Sequence, residues 1–492
     1  MRAATGQDSA TIADADGSQL GMRQLAMAWL REHYLAALTL PILTIVLYAP
    51  TLGYDFVNWD DPWYVYKNPL VQGWSISNLF QIATGIVIRN YAPLTIFSYL
   101  LDHTFFGLWA GGYHLTNFSL HALNAVLAYV LVSRLTGSRF VGWTTAALFA
   151  VHPIHIESVA WIASRKGLLS ASFILATLIC WLRPHRTPRQ EGYGLLFLAA
   201  ALLSKIIAVC VPAIVLLYDV IVQRRPIAEA LPRQVIPGFM ALCLLMVNMS
   251  AQTSESGGVR GHLSLNKAEI LAVDSVILWK YAGMLAYPRN LSVLYDPPTS
   301  GIGWAILLSL TGWLIVAWGV WRLGKRVPLV TFAALTSLVF LLPVLNLFPL
   351  TTLMNDRYLY LPSIPVFALA AGGLRFAFVN WPSLGPSSSG VLSRRRAVLA
   401  CATVVLIIGA YGWAAQQRLP VWRNGMALWQ DTVQRVPQLA VVQIQLANTL
   451  HQRGEDEQAI AVLEFALREC APDRLDRKRI LLKLQDWRGL SG

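Results

Sequence analysis

Apolar runs recur along most of the chain and constrain its fold more than any other feature. Eleven runs are bounded by charged residues or by Pro and Gly, at residues 34–52, 113–133, 139–153, 166–182, 192–203, 206–223, 235–250, 300–321, 328–349, 362–379 and 397–415. A helix needs about 20 apolar residues to cross a bilayer. The chain is 55% hydrophobic and only 13% charged, which excludes an ordinary soluble globule or a disordered chain. We therefore expect an all-α polytopic membrane protein with about eleven transmembrane helices.

Basic residues predict how these helices are oriented. They cluster in every second loop, on the same side as Arg23 and Arg31, at Arg134/Arg139, Arg183/Arg186/Arg189, Arg224/Arg225/Arg233, Arg322/Lys325/Arg326 and Arg394/Arg395/Arg396. Because Lys and Arg in short loops stay in the cytoplasm, segment 1–33 is expected to be cytoplasmic and loops 53–112, 251–299 and 350–361 to face outward. Counting residues 270–287 as a twelfth span would reverse the later loops. We expect that segment to be re-entrant or to lie along the outer surface.

Charge and cysteine usage exclude two classes of partner and site. The formal net charge is +13, but the basic residues stand in short loops between apolar runs, so nucleic acid is not an expected partner. The five cysteines are scattered singly, and this spacing supports neither a disulfide framework nor a zinc knuckle.

The first outer loop, residues 53–112, is expected to lie on the membrane surface. It is rich in aromatic residues, namely Trp59, Trp63, Tyr64, Tyr66, Trp74, Tyr91, Phe105 and Trp109. Their rings are apolar and their edges polar, so such residues settle at the membrane interface. We expect one or two amphipathic helices in the membrane plane, over 75–84 and 93–106.

The tail, residues 416–492, is expected to be a small outer helical domain that follows a transmembrane domain over 34–415. It has the residue spacing of one tetratricopeptide repeat (TPR), at Leu446, Ala447, Leu450, Gly454, Ala459, Leu463 and Ala466. Residues 424–437 match half of another repeat. Since such arrays usually need about three units, this tail must pack against the membrane part or a partner.

Two adjacent carboxylates are the first candidate catalytic residues. Asp60 and Asp61 stand among aromatic residues just beyond the first apolar run. Desolvation there raises the pKa of a carboxyl group and improves it as a general base. An Asp before Pro62 is also typical of a helix N-cap, which is an alternative role for Asp61.

A second polar block lies between the third and fourth runs. His152, His155 and Glu157 have a spacing that could ligate a metal, but no third His or Cys is near them in the sequence. Hydrogen bonding to a polar substrate is the favoured interpretation. Neither a metal nor another cofactor is expected.

Basic residues on the outer side complete the candidate site. A cation at membrane depth needs an anionic partner, and a lipid phosphate would be one. The candidates for binding a donor phosphate are Arg89, Arg165, Lys166, Lys205, Arg289 and Arg357, together with Tyr358. Snorkelling toward lipid headgroups explains any one of them, but less easily the whole set. A base, several cations and an apolar body indicate glycosyl transfer from a lipid-phosphate sugar.

Several sequence blocks occur in an order that resembles the GT-C superfamily of membrane glycosyltransferases. Within it, the chain is similar to the TMTC-like protein O-mannosyltransferases, which have transmembrane and TPR parts, and to their shorter bacterial members. The blocks are residues 59–62, 112–117 with 121–124, 152–165, 203–205, 290–292, 356–362 and the terminal repeat.

The resemblance implies a polyprenyl- or dolichyl-phosphate hexose as donor, with mannose or another hexose transferred with inversion. It implies a hydroxyl acceptor, such as Ser or Thr of a protein, on the outer face of a bacterial inner membrane, and a periplasmic tail. By the family pattern Asp60 is the first choice as base and Asp61 the second. Gly167 departs from the pattern, because these proteins often carry an acid there. The repeat region is also shorter than in the animal members.

Two other classes of function remain open at the level of sequence. One is a GT-C transferase that modifies a glycan or a lipid, since such an acceptor needs no repeat domain. The other is a transporter or a non-enzymatic scaffold with a TPR tail. Transporters often have internally repeated halves, which this sequence lacks, and a scaffold leaves the aromatic loop with its carboxylates unexplained.

Overall fold

A computed structural model describes residues 33–253, 266–346, 352–378, 390–470 and 472–489. Within these ranges the regular secondary structure is helical, apart from an isolated antiparallel bridge between Val87 and Asn90. The predicted all-α class is confirmed. Several predictions fall on residues outside the described ranges. They concern segment 1–32 with Arg23 and Arg31, the side chain of Arg394, residues 347–349 at the end of the ninth predicted run, and residues 254–265 and 350–351 of the predicted loops.

Sixteen α-helices are present among the described residues between 33 and 418, besides short 3-10 and π turns. In chain order they are α1 His33–Gly53, α2 Ile76–Thr84, α3 Pro93–Phe106, α4 Ala110–Thr136, α5 Arg139–Val151, α6 Ile156–Ala160, α7 Arg165–Trp181, α8 Pro188–Ser204, α9 Val211–Leu217, α10 Ile227–Ala230, α11 Val235–Thr253, α12 Lys267–Ala286, α13 Gly303–Gly324, α14 Pro328–Leu341, α15 Ser363–Phe378 and α16 Gly390–Arg418.

The described helices identify an integral membrane protein. Six are long and apolar enough to cross a bilayer, namely His33–Gly53, Ala110–Thr136, Ile162–Trp181, Ile227–Ala251, Gly303–Gly324 and Arg395–Trp422. Four shorter apolar helices are Arg139–Val151, Ile206–Val222, Pro328–Val344 and Ser363–Phe378. The predicted count of eleven spans is not confirmed, because a helix of 13 residues such as Arg139–Val151 is only about 20 Å long.

The segment over 270–287, expected to be re-entrant or to lie along the outer surface, is helical up to Ala286. It forms α12, a continuous helix of 20 residues whose N-cap Asn266 accepts from the amides of Ala268 and Glu269 at 3.0 Å. It packs beside α13, where the indole of Trp279 donates to the Ser309 carbonyl at 3.0 Å. The Asn266 cap and the contact between Trp279 and Ser309 stabilise this continuous helix, which the hydropathy of the segment alone does not predict.

A polar stripe on α4 organises the centre of the fold. His114, Asn117, His121 and Asn124 repeat every three or four residues and are all buried on one helix face. The Asn117 amide donates to the carbonyls of Val159 and Trp161 at 3.2 and 3.1 Å, and Nε2 of His121 lies 3.2 Å from the Ala150 carbonyl. These side chains form hydrogen bonds with backbone carbonyls at the end of α5 and in the irregular segment before α7. In an apolar interior those carbonyls would otherwise lack a donor.

The first outer loop contains both expected helices. Ser75 caps α2 by accepting from the Asn78 amide at 3.0 Å, and α3 begins at Pro93, a residue favoured in the first helical turn. On α2 the side chains of Ile76 and Phe80 are 89% and 68% exposed, so the helix presents an apolar face. Such a face suits the membrane interface.

The tail consists of four helices. They are α17 Gly425–Arg435, α18 Ala440–Gln452, α19 Asp456–Glu469 and α20 Arg474–Trp487. Ala447, Ala459 and Ala466 are fully buried between α18 and α19, so the small residues let the helices approach closely. Gly454 has φ +79° at the turn that joins them, a conformation glycine adopts without strain.

Basic loops meet at one end of the bundle, away from the first outer loop. Arg186, Arg225 and Arg233 surround the buried carboxylate of Asp219 at 3.4, 3.8 and 3.6 Å. Helix α8 starts beside this cluster, and its C-terminal end lies about 25 Å away, by its 17 residues. At that end the Thr95 hydroxyl of the first outer loop donates to the Ser204 carbonyl at 3.0 Å.

Candidate active site

Asp61 joins two loops of the site. It is 1% exposed, and its two carboxylate oxygens accept from the backbone amides of Val57 and Ala163, both at 2.9 Å. Burial raises the pKa of this carboxyl group to about 7, although both amide contacts oppose the shift. Both oxygens are therefore engaged in holding the loop against the turn that precedes α7.

Asp60, the neighbouring residue, is half-buried. Its backbone carbonyl accepts from the amides of Trp63 and Tyr64 at 3.0 and 3.1 Å. Among the described residues, no donor lies within hydrogen-bond distance of its side-chain carboxylate. The pair thus divides into one carboxylate that is occupied by the fold and one that is partly exposed and has no donor among the described residues.

Lys166 contacts the loop that carries Asp60. The ammonium of Lys166 donates to the Tyr64 hydroxyl at 3.1 Å and lies 4.7 Å from the centre of that ring. Burial raises the pKa of the Tyr64 hydroxyl, with a further contribution from the charge of Asp60, while Lys166 opposes the shift. These mutual effects place the carboxylate, the phenol and the ammonium in one cluster.

Lys205 follows the last residue of α8 and stands against α7. A Cβ on Gly167 would lie 3.6 Å from its ammonium nitrogen. Burial, then the charges of Lys166 and Arg357, lower the pKa of Lys205 to about 7, and Glu157 opposes them weakly. Within the part of the chain that the structure describes, this ammonium has no hydrogen-bond acceptor.

Arg357 and Glu157 form the third part of the cluster. The Arg357 guanidinium pairs with one oxygen of Glu157, and the Arg357 amide donates to the other at 2.9 Å. Burial disfavours the charged guanidinium, but Glu157, Tyr358 and Asp60 raise the pKa of Arg357 above its usual value. The guanidinium carbon also lies 5.3 Å from the ring centres of Trp161 and Tyr358, so aromatic faces orient it.

Electrostatics of this cluster favour an added anion. Lys166, Lys205 and Arg357 supply three positive charges, which Glu157 and Asp60 balance only in part. The Lys205 ammonium would donate a charge-assisted hydrogen bond to an anion placed beside it, because no described residue accepts from this ammonium. The site therefore combines a half-buried carboxylate, Asp60, with a group of cations of which Lys166 and Arg357 lie within its electrostatic reach.

Arg165, although adjacent to Lys166, is not in this cluster. It is fully buried, pairs with Asp102 at 2.5 Å and donates to Asn117 and to the Tyr113 carbonyl, both at 2.9 Å. The sequence placed it with the phosphate ligands, but its donors are used inside the fold. Consecutive residues on a helix point about 100° apart, which separates it from Lys166.

The two histidines also lie in the interior. One nitrogen of His152 lies 3.1 Å from the Leu285 carbonyl, and the other accepts from the Ile154 amide at 3.2 Å. His155 is fully buried, with Nε2 at 3.3 Å from the Ser363 hydroxyl, and burial lowers its pKa well below the usual value. Both connect helices and do not face the cations.

The remaining sequence candidates are Arg89, Arg289 and Tyr358. Arg89 occupies a tight turn with φ +58°, and Arg289 is exposed, with its guanidinium 4.4 Å from the Tyr287 ring. Tyr358 contributes its ring to Arg357, as above, and its hydroxyl lies 3.2 Å from that of Thr352. Tyr358 thus touches the cluster through Arg357.

Sequence reasoning missed several supporting residues. Tyr64 was read only as an interfacial aromatic, and nothing in the sequence pointed to Tyr295, whose hydroxyl donates to Asp356. Asp356 precedes Arg357 in the block 356–362, and this adjacency is the available signal. Among the described residues, no three His, Cys, Asp or Glu side chains converge as a metal-ligand set.

Comparison with curated proteins places this chain near one family. Protein O-mannosyl-transferase TMTC1 from Homo sapiens is 25% identical over 498 residues, which cover 88% of this chain and 55% of that protein. Protein O-mannosyl-transferase F38B6.6 from Caenorhabditis elegans is 24% identical over 84% of this chain and 59% of its own length. Protein O-mannosyl-transferase Tmtc2 from Drosophila melanogaster is 34% identical over 41% of this chain and 24% of its own length.

These matches confirm the resemblance to the TMTC proteins, and the chain spans about half the length of the first two relatives or slightly more. No family model matches the chain. Among solved structures, the Archaeoglobus fulgidus oligosaccharyltransferase tethered with an acceptor peptide is 12% identical, covers 81% of this chain and 56% of its own, and has a TM-score of 0.47. ArnT from Cupriavidus metallidurans bound to undecaprenyl phosphate is 12% identical, covers 85% and 81%, and has a TM-score of 0.40.

Proposed function

Because the chain is similar over most of its length to protein O-mannosyl-transferases, we propose that it is a membrane glycosyltransferase that uses a polyprenyl-phosphate sugar. The sugar is mannose or another hexose, and the acceptor is a hydroxyl, with Ser or Thr of a protein as the first candidate. One observation carries the proposal: the half-buried carboxylate of Asp60 lies within electrostatic reach of Lys166 and Arg357, and Lys205, which neighbours these two cations, has no acceptor among the described residues.

The reaction needs a base on one side of the anomeric carbon and cations on the other. Asp60 removes the proton of the acceptor hydroxyl as its oxygen attacks the anomeric carbon. The bond between that carbon and the phosphate oxygen breaks, and the lipid phosphate leaves with the bonding electrons. Attack from the side opposite to the phosphate inverts the configuration.

Lys166, Lys205 and Arg357 stabilise the departing phosphate. Preorganised charges aimed at the atom where charge develops lower the barrier most effectively in a site with little water. Arg357 is held by Glu157 and by aromatic faces, so it changes little during the reaction. Lys205 supplies the positive charge that the protein itself leaves unbalanced.

The proposed location follows from the loops that build the site. Segments 53–112, 152–165, 290–299 and 352–361 are those expected on the outer face, and the basic loops around Asp219 are expected in the cytoplasm. The tail then lies on the outer face, in the periplasm if the membrane is the bacterial inner membrane. The apolar bundle accommodates the polyprenyl chain beside the site.

The test is a transfer assay with the purified full-length protein in vesicles. Polyprenyl-phosphate mannose and polyprenyl-phosphate glucose are each offered with a Ser/Thr-rich peptide, an oligosaccharide or a lipid acceptor. We expect labelled peptide from at least one donor, with the inverted linkage detected by nuclear magnetic resonance. Label on the oligosaccharide or lipid alone would instead favour the glycan- or lipid-modifying transferase. No transfer from any lipid-phosphate sugar would refute the proposal.

A further inference from the structure

We propose that the C-terminal tail positions the catalytic base, because Asn58 fastens the backbone beside Asp60 to two tail helices. The inference rests on the proposed role of Asp60. It assigns Asn58, Trp429 and Thr449 as positioning residues that touch neither substrate nor the reacting atoms.

The side chain of Asn58 is bound on both sides by the tail. Its oxygen accepts from the indole nitrogen of Trp429 on α17 at 2.7 Å, and its amide nitrogen donates to the Thr449 hydroxyl on α18 at 2.8 Å. The Thr449 hydroxyl in turn donates to the Gln445 carbonyl at 2.8 Å, which leaves its oxygen oriented to accept from Asn58. One amide thus connects the loop to two helices, and its two ends are not interchangeable.

Packing around the amide makes the contact close and specific. The rings of Trp59 and Trp429 meet nearly edge to face, with centres 5.1 Å apart. Gly425 lies against the amide, since a Cβ there would fall 2.4 Å from the Asn58 oxygen. The Asp55 amide donates to the Arg423 carbonyl at 2.9 Å, so the backbone of the loop is attached to the start of the tail as well.

Asp60 depends on these contacts because its own carboxylate has no hydrogen-bond donor among the described residues. Its position is set by the backbone between two attachments, Asn58 on the tail side and Asp61 on the membrane side. The phosphate-binding cations belong to other segments, at the start of α7, the end of α8 and residues 352–361. Loosening the tail contact would therefore move the base relative to the cations and leave the cations in place.

This geometry predicts a defect in turnover and not in donor binding. A misplacement of about 1 Å reduces rates by about a hundredfold, and removal of one of the two Asn58 contacts displaces the loop less than that. For Trp429→Phe and for Thr449→Val we expect kcat to fall at least tenfold, while KM for the donor stays within twofold. Thr449→Ser retains the accepting oxygen and should restore kcat.

The matched control is Trp487→Phe in the same tail. Trp487 stacks on His451 with ring centres 4.3 Å apart and lies on α20, so the same substitution removes an indole from a different tail helix. Its kcat should equal that of the wild type. Wild-type kcat in both Trp429→Phe and Thr449→Val would overturn the inference. So would a loss of kcat in Trp487→Phe or Thr449→Ser as large as in those two variants.

A second measurement does not depend on activity. Amide hydrogen exchange over residues 54–60 should be at least tenfold faster in Trp429→Phe and Thr449→Val than in the wild type or Trp487→Phe. Normal transfer with unchanged exchange would overturn this inference alone. Absence of transfer by the wild type would overturn the proposed function and the catalytic part of the inference, and exchange would still decide whether the tail holds the loop.

Discussion

Removal of the Asp61 carboxylate should destabilise the protein strongly. The side chain is 1% exposed and accepts from two backbone amides, those of Val57 and Ala163. A buried amide left without an acceptor costs about 1–3 kcal/mol, so Asp61→Ala should lower the free energy of unfolding by about 2–6 kcal/mol. Asp61→Asn keeps one accepting oxygen and should lose about half as much.

The free energy of unfolding can be measured by titrating the protein in mixed micelles with a denaturing detergent. Asp55, which is exposed in the same loop, provides the control, and Asp55→Ala should stay within about 0.5 kcal/mol of the wild type. An Asp61→Ala protein as stable as Asp55→Ala would refute the assignment of Asp61 to the fold.

The pH dependence of stability supplies a second test at the same residue. Burial raises the pKa of Asp61 to about 7 in the folded protein, against about 3.9 in an unfolded chain. The folded state therefore binds more protons between these values, and the contribution of this group is full below the lower pKa and is lost as pH rises through 7. Asp61→Asn should remove that part of the slope. A slope identical to that of the wild type would contradict the assignment.

Other predictions concern the cations. Lys205→Met should weaken binding of polyprenyl phosphate about tenfold in a calorimetric titration, since it removes a charge that has no acceptor among the described residues; unchanged affinity would exclude Lys205 from the site. Because burial lowers the pKa of Lys205 to about 7, affinity for the phosphate should fall between pH 6 and pH 8 more steeply in the wild type than in Lys205→Met. Glu157→Gln should lower the free energy of unfolding by about 3–5 kcal/mol, as loss of one partner of a buried ion pair does. A smaller loss, measured by titration with a denaturing detergent, would contradict this prediction.

Local sequence signals predicted the elements that depend on local chemistry. Helices α2 and α3 lie within one residue of the expected 75–84 and 93–106, because Ser75 and Pro93 mark their starts and Gly107 ends the second. The helix pair of the tail was predicted for a similar reason, since Gly454 and the buried alanines specify a close turn.

The arrangement of the site could not be predicted in the same way, because it depends on contacts between distant segments. Arg165 and Lys166 are adjacent basic residues, and the sequence gives no reason to assign them different roles. In the structure Arg165 pairs with Asp102 inside the fold, whereas Lys166 donates to Tyr64. The distinction between Asp60 and Asp61 depends on the amide of Ala163, about a hundred residues away. Periodicity also gave no reason to expect the unbroken α12, whose neighbour α13 stabilises it.

The most direct test of the account compares Asp60→Asn with Asp55→Asn, the same substitution at an exposed position of the same loop. For Asp60→Asn, the general-base role predicts that kcat falls by about a hundredfold or more. The unfolding free energy should stay unchanged, and polyprenyl phosphate should bind at least as tightly, because the cations lose a negative charge that partly balances them. Asp55→Asn should match the wild type in all three. Wild-type turnover by Asp60→Asn would contradict the claim that this carboxylate is the base.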